Sequence, residues 1–252
     1  VQHGGPSGPV EARVVGRRVF VDALRPARID LATRQPLNVT VALVRLVDGV
    51  VVMGWPLGVV TPAVVRSVTW DGTLAGVAQP PGRYEFRVFA GGSGAQAAQS
   101  DGALASGVFD LVDHKFPVRG PHDFGGAGAA FGAVRAGHTH QGQDVMAACG
   151  TPLVAARGGV VKLNRFEANA GNYLIVDGQG TDVDYAYMHL REPSPLLKGS
   201  RVRTGQVLGA VGRTGDATAC HLHFEMWSGP GWYTGGAPLD PLPFLKLWDL
   251  YS

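Results

Sequence analysis

Short runs in which apolar and polar residues alternate, each closed by glycine or proline, are the feature that most constrains the fold of this chain. In residues 37–43, Leu and Val alternate with Asn, Thr and Ala, and Tyr84, Phe86 and Val88 alternate with charged residues. A period of two is typical of half-buried β-strands. The 37 glycines and 17 prolines among 252 residues leave little room for long helices. We therefore expect a mainly β protein.

The composition excludes several classes of function. Hydrophobic residues make up 45% of the chain and charged residues 17%, which indicates a folded globular protein. The net charge of +2 comes without a dense run of Lys or Arg, so nucleic-acid binding has little support. A mildly basic chain is compatible with an anionic polymer such as a cell wall. No stretch of about 18 apolar residues is present, so we expect no transmembrane segment.

The pattern of strands and turns divides the chain into two expected domains. Residues 10–112 contain short strands separated by turns such as Asp48-Gly49, which predicts an antiparallel β-sandwich. The Gly-rich and Ala-rich stretch 91–107 is expected to form a loop or long hairpin inside that domain. Residues 113–120 are the predicted linker. Residues 121–252 are the predicted second domain, in which strands resume and a short helix closes the chain.

The strongest chemical signal is a set of histidines and an aspartate in short motifs. If His221-Leu222-His223-Phe224-Glu225 is a strand, its two histidines project to one face. His140 and Asp144 share a side if their segment is extended, and Gly142 between them disfavours the competing helical turn. Two imidazoles and a carboxylate form a zinc ligand set that leaves a position open, which is typical of hydrolytic sites. The sequence thus predicts a metallohydrolase with further histidines left to move protons.

Two residues near these motifs have more than one interpretation. A ligand histidine normally needs an acceptor for its second ring nitrogen. Glu225 is one candidate, but it shares strand parity with His221 and His223 and equally suits a carboxylate that lines the groove or the core. His138, two residues before His140, is an alternative groove residue.

The two cysteines lie close to the motifs in sequence. Cys149 follows Asp144 by five residues, and Cys220 directly precedes His221. If both motifs line one site, the thiols are close in space, and a disulfide would brace the site and imply an oxidising compartment. Two buried free thiols, or a thiol that binds the metal, are the alternatives.

In order along the chain, these motifs resemble the M23 family of zinc metallopeptidases, the LytM and lysostaphin-type enzymes that cut peptidoglycan peptides. The resemblance rests on His140-x-x-x-Asp144, Tyr187-Met188-His189-Leu190, Gly212-Arg213-Thr214-Gly215 and His221–Glu225. It implies an antiparallel β-sheet groove. It also implies that Zn²⁺ is the cofactor, that the metal ligands are His140, Asp144 and His223, and that the catalytic residues are His221 and His189.

A second resemblance concerns the first domain. Trp70-Asp71-Gly72 and Pro81-Gly82-Arg83-Tyr84 resemble the end of the immunoglobulin-like domain of flagellar-hook-cap type proteins. This resemblance implies that residues 10–112 form an immunoglobulin-like β-sandwich, which would position or anchor the second domain.

The resulting expectation is a bacterial zinc endopeptidase that hydrolyses peptide bonds in peptidoglycan stem peptides or cross-bridges. We expect a monomer whose partner is peptidoglycan. His221 is the expected general base, and His189 is expected to stabilise the oxyanion or to share the proton transfer. The chain begins without Met, and we expect an exported, cell-wall-associated protein from which a signal peptide or anchor has been removed.

Two alternatives remain at this stage. One is a non-catalytic regulator of the same fold that binds cell wall or activates a partner hydrolase. The other is a latent enzyme whose groove is covered by the first domain or by the Gly-rich loop 125–137, with Asn169 or Asn172 offered to the zinc.

Overall fold

The computed structural model describes residues 8–91, 102–135 and 137–252. The chain divides into two compact units, which meet in sequence between Asp113 and His114. The segment predicted as a linker therefore lies almost wholly in the second unit. Phe116 and Val118 are buried in the core of that unit, and Val118 forms a β-bridge with Leu153. The two apolar side chains are two residues apart, so an extended backbone turns both to the same side, into the core.

The described residues of the first unit form β-strands joined by turns and loops. The strands are β1 (Val10–Val15), β2 (Arg18–Phe20), β3 (Ala27–Thr33), β4 (Leu37–Arg45), β5 (Val50–Val60), β6 (Arg66–Trp70), β7 (Thr73–Leu74), β8 (Val77–Ala78), β9 (Gly82–Ala90) and β10 (Ala105–Val112).

The described strands of the first unit pack as two sheets around one core. One sheet has the order β1-β3-β6 and the other the order β2-β10-β9-β4-β5, and β7 pairs with β8. Ile29 and Trp70 from the first sheet pack with Phe86 and Phe109 from the second. A sandwich is therefore present, but it is not wholly antiparallel as predicted, because the short strand β2 pairs parallel with β10. The immunoglobulin-like assignment stays a prediction.

The stretch 91–107, predicted as a loop or long hairpin, falls partly outside the described residues. The strands on either side of it, β9 and β10, pair antiparallel from Ala105↔Val88 to Leu111↔Gly82. The described strand β10 therefore begins at Ala105, inside this stretch, and is the antiparallel neighbour of β9.

The second unit is also mostly β. Its described strands are β11 (His122–Asp123), β12 (Val134–Arg135), β13 (His138–Thr139), β14 (Gln143–Ala147), β15 (Pro152–Val154), β16 (Gly159–Glu167), β17 (Gly171–Gly178), β18 (Val183–Leu190), β19 (Arg201–Val202), β20 (Val207–Ala210), β21 (His221–Ser228) and β22 (Pro238–Leu239). A 3₁₀ turn spans Ala127–Ala129, and the helix α1 spans Leu242–Asp249.

An antiparallel sheet of order β11-β14-β21-β18-β17-β16-β19 organises the second unit. One face packs on the main core, where Tyr187, Leu222 and Phe224 are fully buried, and α1 adds Leu245 and Trp248 to that core. The opposite face carries a smaller apolar cluster that includes Tyr173, Ile175, Ala186 and Met188. We call this opposite face the site face, because the motif residues project from it. The predicted antiparallel sheet and the short closing helix are confirmed.

Within the residues that the structure describes, none of the helices has the length and apolar character needed to cross a membrane.

Candidate metal centre

The register between β14 and β21 brings Asp144 and His223 together. Asp144 pairs directly with His223, while the neighbouring pair Val145↔Leu222 points into the core. Residues directly opposite each other in an antiparallel pair share a face, so both polar side chains lie on the site face. His140 arrives differently from the prediction, because β14 begins only at Gln143. His140 reaches the site from the connecting segment that precedes the strand.

Three side chains converge on one point. The Nε2 atom of His140 lies 3.1 Å from Asp144 Oδ1 and 2.9 Å from His223 Nδ1, and these last two atoms are 2.9 Å apart. The three residues are 6%, 9% and 8% exposed, respectively. One ligand atom from each lies within 4.8 Å of the others. Two imidazole nitrogens and one carboxylate oxygen gathered in this way fit a divalent transition metal.

Hydrogen bonds within this cluster shift the pKa values of His223 and Asp144 away from their ordinary values. Burial alone would lower the pKa of His223, but hydrogen bonds with Asp144 and Glu225 outweigh it and raise the pKa to about 9. Burial would raise the pKa of Asp144, but hydrogen bonds from His140 and His223 hold that pKa well below its ordinary value. Metal binding should therefore release protons.

The glycine-rich segment 125–137 holds two of the three residues in place. The carbonyl of Ala130 accepts a hydrogen bond from His140 Nδ1 at 2.8 Å, so a neutral His140 ring in a metal-bound centre would present the lone pair of Nε2 to the ion. The guanidinium of Arg135 donates to Asp144 Oδ2 at 3.2 Å and to the Gly128 carbonyl at 2.7 Å. Asp144 therefore directs Oδ1 toward His140 and His223, while its Oδ2 accepts the hydrogen bond from Arg135. Sequence reasoning misses Arg135, because a single arginine in a glycine-rich loop has no motif around it.

The structure decides between the two interpretations of Glu225. Its Oε1 atom accepts a hydrogen bond from His223 Nε2 at 2.9 Å, and its Oε2 atom accepts from Trp227 Nε1 at 2.7 Å and Trp232 Nε1 at 2.9 Å. The residue is 4% exposed. Glu225 is therefore the acceptor for the second ring nitrogen of His223. The shared strand parity that left its role open is what allows this contact between residues i and i+2.

Gly142 lies against this hydrogen bond. A Cβ atom at this position would lie 2.5 Å from the Phe224 carbonyl oxygen, 2.8 Å from His223 Nε2 and 2.9 Å from Glu225 Cγ. Each distance is shorter than Cβ contacts allow, so only glycine fits here without displacing the pair.

His221 projects from β21 on the same face as His223. Its Nδ1 atom donates to the Ala219 carbonyl at 2.9 Å, and its Nε2 atom lies 3.5 Å from Asp144 Oδ1. Since a carbonyl only accepts, the neutral ring carries its hydrogen on Nδ1 and leaves the Nε2 lone pair toward the cluster.

His189 reaches the site through an irregular backbone. Its neighbour Met188 pairs with His223 on the site face, so regular alternation would turn His189 toward the core. Instead His189 has φ of 59°, a left-handed conformation that is uncommon for residues other than glycine. Its ring consequently lies 4.7 Å from that of His221, measured between centroids. Its Nδ1 atom donates to the Thr214 carbonyl at 2.8 Å, and burial lowers its pKa to about 4.

A disulfide joins Cys149 to Cys220, with their Cα atoms 5.3 Å apart. Cys149 follows the end of β14 and Cys220 immediately precedes β21, so the bond closes one end of the strand pair that carries Asp144 and His223. Both thiols are used in this bond, which excludes the free-thiol and metal-ligand alternatives.

Comparison with known proteins identifies this part of the chain. Residues 138–241 match the family described as peptidase family M23. This segment is an M23 peptidase domain. It contains every residue of the convergent cluster and both neighbouring histidines.

Relatives of the M23 domain include proteins named as endopeptidases. The chain is 40% identical over 87 residues to peptidoglycan DD-endopeptidase ShyC of Vibrio cholerae, covering 34% of this chain and 19% of that protein. It is 31% identical over 167 residues to the L-Ala–D-Glu endopeptidase of Bacillus subtilis, covering 59% and 48%. The chain therefore spans less than half the length of either relative. Among solved structures, the catalytic domain of lysostaphin from Staphylococcus simulans aligns with a TM-score of 0.42 and 30% identity, covering 46% of this chain and 89% of that one.

The remaining candidates from the sequence lie elsewhere in the M23 domain. His138 is exposed on β13 and does not belong to the ligand cluster found among the described residues. The side-chain amide of Asn172 donates to the Leu190 carbonyl at 3.3 Å, and its backbone amide donates to Thr214 Oγ1. The carbonyl of Asn169 accepts from the backbone of Asp216. Asn169 and Asn172 thus take part in the contacts of the turn that leads into β17.

Proposed function

We propose that this chain is a zinc-dependent endopeptidase that hydrolyses peptide bonds in peptidoglycan stem peptides or cross-bridges. The observation that carries the proposal is the convergence of His140, Asp144 and His223 within 4.8 Å, beside two histidines that are not needed as ligands. The names of the relatives support the substrate class, since one is a peptidoglycan DD-endopeptidase and the other an L-Ala–D-Glu endopeptidase. An extracytoplasmic location follows from that substrate and suits the disulfide.

The ligand set favours zinc as the metal. His140 Nε2, Asp144 Oδ1 and His223 Nδ1 would hold it, and a three-residue set leaves room for a further ligand. Zinc in such a site polarises a carbonyl group and makes water easier to deprotonate at neutral pH.

His221 is suited to take the first proton. Its Nδ1 hydrogen is committed to the Ala219 carbonyl, so its Nε2 lone pair faces the space beside Asp144. A water molecule attacking a peptide carbonyl near the ligand cluster would lie within reach of that lone pair. The imidazole that has taken this proton can then release it to the leaving amine.

The hydrogen bond that His189 makes through Nδ1 supports a part for this residue in proton transfer. At neutral pH its low pKa keeps the ring uncharged, and the single hydrogen on Nδ1 is donated to the Thr214 carbonyl. The Nε2 atom then has a lone pair and no hydrogen, so it cannot donate to an oxyanion at the start of the reaction. It can accept a proton first and donate afterwards. The lone pair on Nε2 therefore favours a role for His189 in proton transfer, shared with His221, over stabilisation of the oxyanion.

The test is mass spectrometry of muropeptides after purified peptidoglycan is incubated with zinc-loaded protein. The control is His221→Ala, which keeps the three proposed ligands. New peptide termini found only with the wild type would establish an endopeptidase and identify the bond. No cleavage by a protein that holds zinc would contradict the proposal and favour the latent or regulatory alternative.

A further inference from the structure

We propose that Glu225 is a positioning residue for the metal centre: its carboxylate fixes the hydrogen of His223 on Nε2 and so reserves Nδ1 for the metal. This inference rests on the proposed function, because it assumes that His223 is a ligand. It assigns to Glu225, and to the two tryptophans that hold it, a part in metal binding.

The direction of the hydrogen bond between His223 and Glu225 determines which ring nitrogen of His223 carries the hydrogen. A carboxylate oxygen accepts hydrogen bonds, so His223 Nε2 carries the hydrogen in the 2.9 Å contact with Glu225 Oε1. A neutral imidazole has one hydrogen, and with that hydrogen on Nε2 the lone pair is on Nδ1. Nδ1 is the atom that faces Asp144 Oδ1 and His140 Nε2. Glu225 therefore selects the tautomer that the site needs.

The second oxygen of Glu225 is fixed independently. Oε2 accepts hydrogen bonds from two indole N–H groups, those of Trp227 and Trp232. Trp232 is itself anchored, since its backbone N–H donates to Asp184 Oδ2 at 2.7 Å, and the same oxygen pairs with Lys162 Nζ at 2.7 Å. The carboxylate cannot turn away from His223 without leaving two indole donors unpaired, those of the buried Trp227 and the half-buried Trp232. Unpaired buried donors are costly, so the orientation is held firmly.

The steric environment supports the same conclusion. Glu225 is 4% exposed, and buried carboxylates are rare unless they are paired. Gly142 packs directly on the His223–Glu225 hydrogen bond, where a Cβ atom would collide with both partners. The pair is thus enclosed on its open side by backbone, which restricts the rotation of the His223 ring.

The experiment measures the zinc affinity of the 252-residue chain by competition with a chromophoric chelator. Glu225→Gln keeps the size of the side chain, but its amide must place an NH₂ group toward either His223 or the indole donors. Either orientation breaks part of the network. We expect zinc to bind about 10- to 100-fold more weakly, the usual effect of losing such a partner. The matched control is Glu167→Gln, whose carboxylate accepts from the Tyr173 hydroxyl and contacts none of the proposed ligands. It should bind zinc as the wild type does.

A second readout separates positioning from a merely structural role. In zinc-loaded protein with ¹⁵N-labelled histidine, NMR should show His223 protonated at Nε2 and bound through Nδ1, and Glu225→Gln should change that pattern while the His189 signals stay in place. If Glu225→Gln does not fold, Trp232→Phe removes one donor and keeps an aromatic ring, and it should weaken zinc binding by a smaller factor.

The outcomes distinguish this inference from the function on which it rests. A wild type that binds no zinc would overturn the proposed function itself. A wild type that binds zinc, with Glu225→Gln or Trp232→Phe binding it equally tightly and with unchanged His223 signals, would overturn only the role of Glu225.

Discussion

Removing the disulfide should destabilise the M23 domain by a calculable amount. The bond joins Cys149 to Cys220 across 71 residues and closes one end of the β14–β21 pair. Neither cysteine is fully buried, so Cys149→Ala with Cys220→Ala sacrifices little packing. The main effect of removing the bond is that the unfolded chain gains conformational entropy, which favours unfolding.

The size of the effect follows from the length of the closed loop. In the chain-entropy model, a loop of 71 residues corresponds to about 4 kcal/mol at 25 °C. At about 1.4 kcal/mol for each factor of ten, the unfolding equilibrium of the domain should shift about a thousandfold toward the unfolded state.

Amide hydrogen exchange measures this shift within one domain. The most protected amides of β17 and β18 exchange through global unfolding of their unit, so their exchange should be about a thousandfold faster in the double variant. Reduction of the wild type should reproduce the change, and reduction of the variant should add nothing. A loss below about 1 kcal/mol would refute the reasoning, because the bond would then barely restrict the unfolded chain.

Three further substitutions test the site. Asp144→Ala should lose zinc and activity together, measured by bound metal and muropeptide release; activity without zinc would contradict its role. His221→Ala should keep zinc affinity within a few-fold and lower turnover by about 10²- to 10⁴-fold, and retained turnover would remove it as the base. Gly142→Ala should destabilise the fold by about 1–3 kcal/mol and weaken zinc binding, because the new Cβ meets His223 and Glu225. Its control is Gly126→Ala, which has open space at that position; equal behaviour of the two variants would contradict the steric argument.

Periodicity was enough to place some of these residues. His221 and His223 are two apart on a strand, so a period of two puts both on one face, and β21 has them there. The pairing of Asp144 with His223 does not follow from periodicity alone, because it depends on the register between β14 and β21. Register is set by long-range packing, which a local pattern does not contain.

His189 shows where local rules fail. Strict alternation along β18 turns it toward the core, and the left-handed backbone at that residue turns it to the site face. That conformation is imposed by contacts with Ala170 and Thr214 from other parts of the chain. Only the resemblance of its motif to a known family predicts a place for His189 in the site. In the first unit, the parallel pairing of β2 was likewise invisible, because three residues carry no information about their partner strand.

The most direct test of the central claim is anomalous diffraction from zinc-loaded crystals, measured on both sides of the zinc absorption edge. We expect a single strong peak within bonding distance of His140 Nε2, Asp144 Oδ1 and His223 Nδ1. A zinc-loaded protein with no peak there, or with the metal bound through Nε2 of His223, would contradict it.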